Sequence, residues 1–162
     1  MLTILTISLA MFARTMASSK KLDPTSTESA VAGSAARSQL EEMRNHPFEQ
    51  IFALYNADPN DDPGGVGTAP GPNFAVPELA PTAAGGFVGT ISFPTVGGVL
   101  REDAVDADLG APRDLNADGV VDSNSRAGDY VILPIRVRLT WIPRNARTGQ
   151  RTFEMFTMYA RY

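Results

Sequence analysis

The segment Asp114-Leu-Asn-Ala-Asp-Gly-Val-Val-Asp122 holds the residues of this chain best suited to chemistry. Asp114, Asn116 and Asp118 fall on the oxygen-bearing positions of a D-x-[DN]-x-[DN]-G pattern, and Gly119 stands where such a loop turns sharply. Calcium is a hard cation that takes about six to eight oxygens, and this spacing folds three side-chain oxygens and the Val120 carbonyl around one centre. Asp122 can add an oxygen directly or through water. The pattern departs from the usual one where a bidentate glutamate is expected, because Ser125 stands there. Asp129, further on, reaches the site only if the loop closes differently. The expected cofactor is therefore a calcium ion with a structural role, held by Asp114, Asn116, Asp118, Val120 and Asp122. A metal-free loop built on Asx-turns is the other reading of the same residues.

Strands are the elements that must position this loop. The residues before it, Leu109-Gly-Ala-Pro-Arg113, make no helix, and a strand follows it, so it resembles free-standing loops of secreted proteins more than a helix-loop-helix sensor. Val131, Leu133, Ile135, Val137, Leu139 and Trp141 alternate with Arg136, Arg138 and Thr140, which predicts one buried and one polar face. Pro134 interrupts the alternation and implies a bulge or an edge position. Pro143 to Gln150 supplies a turn, and Arg151 to Tyr162 returns as the last strand. Upstream, Phe87 to Phe93 reads as a strand, and Gly97-Gly98 offers a two-residue turn into Val99-Leu100-Arg101. The Asp-, Pro- and Gly-rich stretch from Ala57 to Gly86 reads as surface loop.

The apolar face of that sheet needs a cover. Thr25-Ser-Thr-Glu28 has the spacing of a capping box, and Ala32, Ala36, Leu40 and Met43 recur at helical spacing as a narrow stripe. Asp23-Pro24 marks a break or kink before this helix, and His46-Pro47 ends it. Phe48, Ile51, Phe52 and Tyr55 then form a short apolar patch. Glu41, Glu42 and Arg44 lie outside the stripe and read as solvated.

The chain opens on an apolar run, Met1 to Ala13, with no basic residue ahead of it. A membrane-crossing helix needs about 20 apolar residues, and at about 1.5 Å rise the stretch from Met1 to Ala17 covers only about 26 Å. The order of apolar run, amphipathic helix and antiparallel sheet resembles the type IV pilins, most closely the minor pilins and pseudopilins of the PilV and type II secretion kind. That family has a basic leader, a glycine and a mature start of the Phe-Thr-Leu-Ile-Glu kind. Met1-Leu-Thr-Ile-Leu-Thr-Ile reads as what would follow that glutamate, so a prepilin leader and the start of the mature helix are expected upstream. The resemblance implies an α+β fold in which a long N-terminal helix packs on a small antiparallel sheet. Residues 1–22 would be the membrane and filament-core segment, 23–56 the amphipathic helix, and 57–162 the β domain with acidic loops.

Function by resemblance is filament assembly in a pilus or pseudopilus, with Leu2, Ile4, Leu5, Ile7, Leu9 and Phe12 packing in the membrane and the filament core. The partners implied are other pilin subunits and the inner-membrane assembly platform. The implied location is the bacterial inner membrane, with the β domain periplasmic, and then the filament. A secreted or surface-anchored calcium-binding module is the alternative. No enzymatic activity is expected: the chain has no cysteine, and its single histidine, His46, has no Ser, Asp or second His at motif spacing. There is neither a nucleophile elbow nor a phosphate-binding loop.

Charge is segregated along the chain. Residues 57–129 carry three basic and twelve acidic side chains, a balance of −9, whereas residues 130–162 carry six basic and one acidic, a balance of +5. Such asymmetry marks either an interaction surface or an acidic loop region folding beside a basic sheet. The basic strand lacks interleaved aromatics for stacking, so nucleic acid is not an expected partner.

Overall fold

The computed structural model describes residues 27–144 and 149–161. Residues 27–44 form a helix, α1, that ends before Pro47 as the sequence requires. A 3-10 turn over Phe48–Gln50 leads into a short helix, α2, over Ile51–Tyr55. The strands are β1 (Asn73–Phe74), β2 (Gly89–Ser92), β3 (Thr95–Val96), β4 (Val99–Leu100), β5 (Ile132–Trp141) and β6 (Arg151–Ala160). β1, β2, β5 and β6 make one antiparallel sheet in that order, and β3 pairs with β4 in a separate hairpin.

The expected fold class, a long N-terminal helix with an apolar membrane part on a small sheet, is corrected by this architecture. The helices described are short, and none is long and apolar enough to cross a membrane. The amphipathic helix expected over 23–56 is broken: α1 stops at residue 44, Pro47 leads into the 3-10 turn, and α2 runs separately. The physical reason lies in α1 itself, which carries Glu28, Arg37, Glu41, Glu42 and Arg44 beside its apolar stripe and is therefore built to lie on a sheet. The apolar run 1–13, Asp23-Pro24 and Thr25 lie outside the described residues.

The α1 stripe does what its spacing requires. Ala32, Ala36, Leu40 and Met43 are buried and join Leu133, Ile135, Val137, Leu139 and Trp141 of β5 in one core. Small residues allow close approach, and Gly33 lies against the Phe153 ring, where an added Cβ would stand 3.6 Å away. The β5–β6 register puts Phe153, Met155 and Tyr159 opposite Leu139, Val137 and Leu133, so both strands turn the same face to the helix. The Tyr159 hydroxyl donates to the Leu40 carbonyl at 2.5 Å and fastens β6 to α1.

Pro134 lies in an interior strand, not at the edge its residue type suggested. The reason is local. The Thr140 N–H donates toward the β2 side, to the Val88 carbonyl at 2.8 Å, and by strand alternation position 134 faces the same side. Pairing with β2 ends at Ser92 opposite Arg136, so no acceptor stands opposite the N–H that Pro134 lacks. Gly97 and Gly98 turn between β3 and β4 with φ of 61° and 85°, the geometry that a two-residue hairpin demands. Gly89 has a different purpose: the Phe74 ring from β1 covers it so closely that a Cβ would stand 2.2 Å from Cζ.

Candidate functional site: the acidic loop and its anchors

The loop 114–129 is ordered by its own side chains. Asp114 accepts from the N–H groups of Ala117 and Gly119 at 2.6 and 2.8 Å, one on each carboxylate oxygen. Asn116 Oδ1 accepts from Asp118 N at 3.2 Å, Asp118 Oδ1 from Val120 N at 2.8 Å, and Asp122 Oδ1 from Asn124 N at 2.8 Å. These are successive Asx-turns. They lead the chain through the left-handed conformation at Ala117 (φ 62°) and Gly119 (φ 86°). The Asn116 side-chain amide, followed by the Val120 N–H, holds the Asp118 carboxyl below its ordinary range.

Two residues that the spacing of the loop did not single out organise it. Glu102 follows the β3–β4 hairpin, is 0% exposed, and accepts from Leu115 N at 2.8 Å, Asn116 N at 3.3 Å and Asp122 N at 3.1 Å. Its remaining partner is the Arg126 guanidinium, with Nη2 at 3.2 Å. Arg126 in turn reaches Asp122 at 2.9 Å, Asp129 at 3.2 Å and Asp118 at 3.6 Å, with its side chain only 8% exposed. Asp129 thus does join the loop, through a guanidinium. Ser125, where the sequence pattern calls for a glutamate, makes no such contact among those described.

Of the five residues expected to ligate calcium, Asp118 and Asp122 are brought together on Arg126, and Asn116 donates from Nδ2 to both Asp118 and Asp129. Asp114 accepts one backbone N–H on each carboxylate oxygen, and the Val120 N–H donates to Asp118. Among the described residues no three His, Asp or Glu side chains are placed to hold a metal ion. The carboxylate oxygens of the loop accept from backbone N–H groups and from the Arg126 guanidinium.

The charge blocks of the sequence meet in three dimensions. Arg136 on β5 donates to both carboxylate oxygens of Asp106 at 2.5 and 2.6 Å, and Asp108 lies 3.7 Å away. The same guanidinium lies over the Phe156 ring at 5.3 Å. Arg138 pairs with Glu154 across the β5–β6 ladder, and Arg144 donates to the Glu78 carbonyl at 3.1 Å. The Arg136 cluster with Asp106 and Asp108 thus joins the acidic segment to the basic sheet, while Arg138 is paired within the basic segment itself. His46 packs edge-on against Tyr55, ring centroids 5.9 Å apart, in a cleft of about 470 Å³ shared with Arg44 and Met158.

A second anchor ties α1 to the far end of β5. Glu28 is buried and accepts from the Trp141 indole N–H at 3.0 Å and from the Arg144 backbone N–H at 3.0 Å. The glutamate read as a capping residue is thus committed to the sheet. The Arg144 N–H first, then the indole, hold its carboxyl below the ordinary value of 4.5 against the opposing effect of burial. A carboxyl depressed in the folded state stabilises the fold above its unfolded pKa, and that contribution is lost as pH falls through the lower folded value. Glu28→Gln should therefore be less stable than the wild type at neutral pH, with the gap closing below about pH 4.5. Thermal melts of both proteins at several pH values check this, and a gap that stays constant with pH would refute it.

Comparison with protein-family models, with curated proteins and with solved structures finds no match.

Proposed function

We propose that this chain is a non-catalytic structural subunit that works by assembly into a filament of the type IV pilus or type II secretion pseudopilus kind. What carries the reading is the order of its parts: an apolar run, Met1 to Ala13, then a helix with a small-residue stripe laid on an antiparallel sheet. In this reading Leu2, Ile4, Leu5, Ile7, Leu9 and Phe12 supply the contacts between subunits, since helices in an apolar medium associate by close packing. The sheet domain lies outside, and head-to-tail contacts between like subunits build an open polymer. The proposed partners are other pilin-like subunits and an inner-membrane assembly platform. The proposed location is the bacterial inner membrane, held by segment 1–22, with the sheet domain periplasmic until the subunit joins the filament.

The absence of native cysteine makes the test direct. Single cysteines replacing Leu5 or Leu9 in the full chain, expressed in a bacterium with a functioning pilus machine, should give membrane-fraction protein that cross-links to a second subunit on oxidation. A cysteine replacing the exposed Val105 serves as the control and should not cross-link in that way. Release of the Leu5 and Leu9 variants into the medium as uncross-linked monomer would refute assembly and favour the secreted binding module.

A further inference from the structure

We propose that the Arg126 guanidinium is the resident cation of the acidic loop, standing in for the divalent ion that the sequence pattern invites, so that the loop keeps its shape without calcium. This does not rest on the filament reading.

Four carboxylates face this one side chain. Glu102, Asp118, Asp122 and Asp129 lie 3.2, 3.6, 2.9 and 3.2 Å from its terminal nitrogens. A guanidinium presents several N–H donors in a fixed plane and stays charged at any accessible pH, so it can satisfy carboxylates from different parts of the chain at once. Here it does so across Glu102 from the hairpin end, Asp118 and Asp122 from the D-x-[DN]-x-[DN]-G segment, and Asp129 before β5. A divalent ion seated among the same oxygens would sit within a few ångströms of that guanidinium, and like charges at such separation repel. It would also have to recruit oxygens already committed, since both oxygens of Asp114 bind backbone N–H groups and Glu102 holds three more. Being part of the chain, Arg126 needs no free ligand to keep the loop closed. Its backbone adds to the closure: Arg126 N donates to the Leu100 carbonyl at 2.9 Å, which fixes the guanidinium over Glu102.

Removing this side chain leaves four carboxylates facing one another without their cation, and the loop should lose stability. The test is thermal unfolding of the full chain in EDTA and in millimolar calcium chloride, for the wild type, Arg126→Met and Arg126→Lys. The wild type should melt at the same temperature in both buffers. Arg126→Met should melt lower than the wild type in EDTA by at least about 2–4 °C, a shift readily resolved in a chain of this size. Arg126→Lys keeps a positive charge and should fold in EDTA without a calcium response. The proposal is overturned if calcium raises the wild-type midpoint by a comparable amount, or if Arg126→Met melts in EDTA where the wild type does. Should Arg126→Met fail to fold in either buffer, Arg126→Lys decides: folding in EDTA supports the resident cation, and folding only with calcium refutes it.

Discussion

Replacing Glu102 by alanine should cost about 3–5 kcal/mol of unfolding free energy, the penalty of breaking a buried ion pair by removing one partner. Glu102 accepts three backbone N–H groups and one guanidinium while wholly buried. Alanine would leave the N–H groups of Leu115, Asn116 and Asp122 without that acceptor and would leave Arg126 with its deepest partner gone. Domains of this size are stable by only about 5–15 kcal/mol, so the loss is a large share of the total. Glu102→Gln, which keeps one carbonyl acceptor, should fall between alanine and the wild type. Its neighbour Asp103 provides the control, since it is more exposed and pairs with Arg101 near the surface, and Asp103→Ala should change stability by less than about 1 kcal/mol. Urea unfolding followed by circular dichroism measures all three. Equal stability of Glu102→Ala and Asp103→Ala would show that the hub does not organise the loop.

The second large effect belongs to Trp141. At 1% exposure it is the bulkiest of the fully buried side chains and the last residue of β5. Trp141→Ala should cost about 3–5 kcal/mol through lost burial and the cavity left behind. It should also release Glu28, whose carboxylate would lose the indole N–H and stand buried with the Arg144 N–H as its remaining described donor. Trp141→Phe separates the two effects: much of the apolar contact stays, the hydrogen bond goes, and the expected loss is about 1–3 kcal/mol for the unsatisfied carboxylate oxygen. Combining Trp141→Phe with Glu28→Gln should cost less than the sum of the two single changes, because the two residues share one interaction. Strict additivity in that double-mutant cycle would count against the anchor.

Both hubs bear on function in the same way. In a chain without disulfides, the acidic loop is held to the β3–β4 hairpin by Glu102 and Arg126, and the helix is held to the four-stranded sheet by Glu28 and Trp141. A subunit that transmits force or packing through its helix needs that joint to be rigid, which fits the proposed assembly role.

The sequence alone determined the parts of this protein that depend on neighbours along the chain. The period-two alternation from 131 to 141 marks the buried face of β5, because successive residues of a strand must point to opposite sides. The stripe Ala32, Ala36, Leu40 and Met43 marks the face of α1 that meets it, Pro47 fixes where that helix must stop, and Gly97-Gly98 fixes the β3–β4 turn. The Asx-turns of the 114–122 segment also follow from local spacing. Tertiary structure alone decided what the charged residues do. Glu28 could be read as a cap and no local spacing singles out Arg126, yet their partners stand 113 and 24 residues away. A buried charge is satisfied by whichever group the packed chain brings within about 3 Å, and no periodicity or spacing encodes that meeting. Pro134 makes the same point for the backbone, since the place where β2 ends, not the proline itself, sets whether its missing N–H matters.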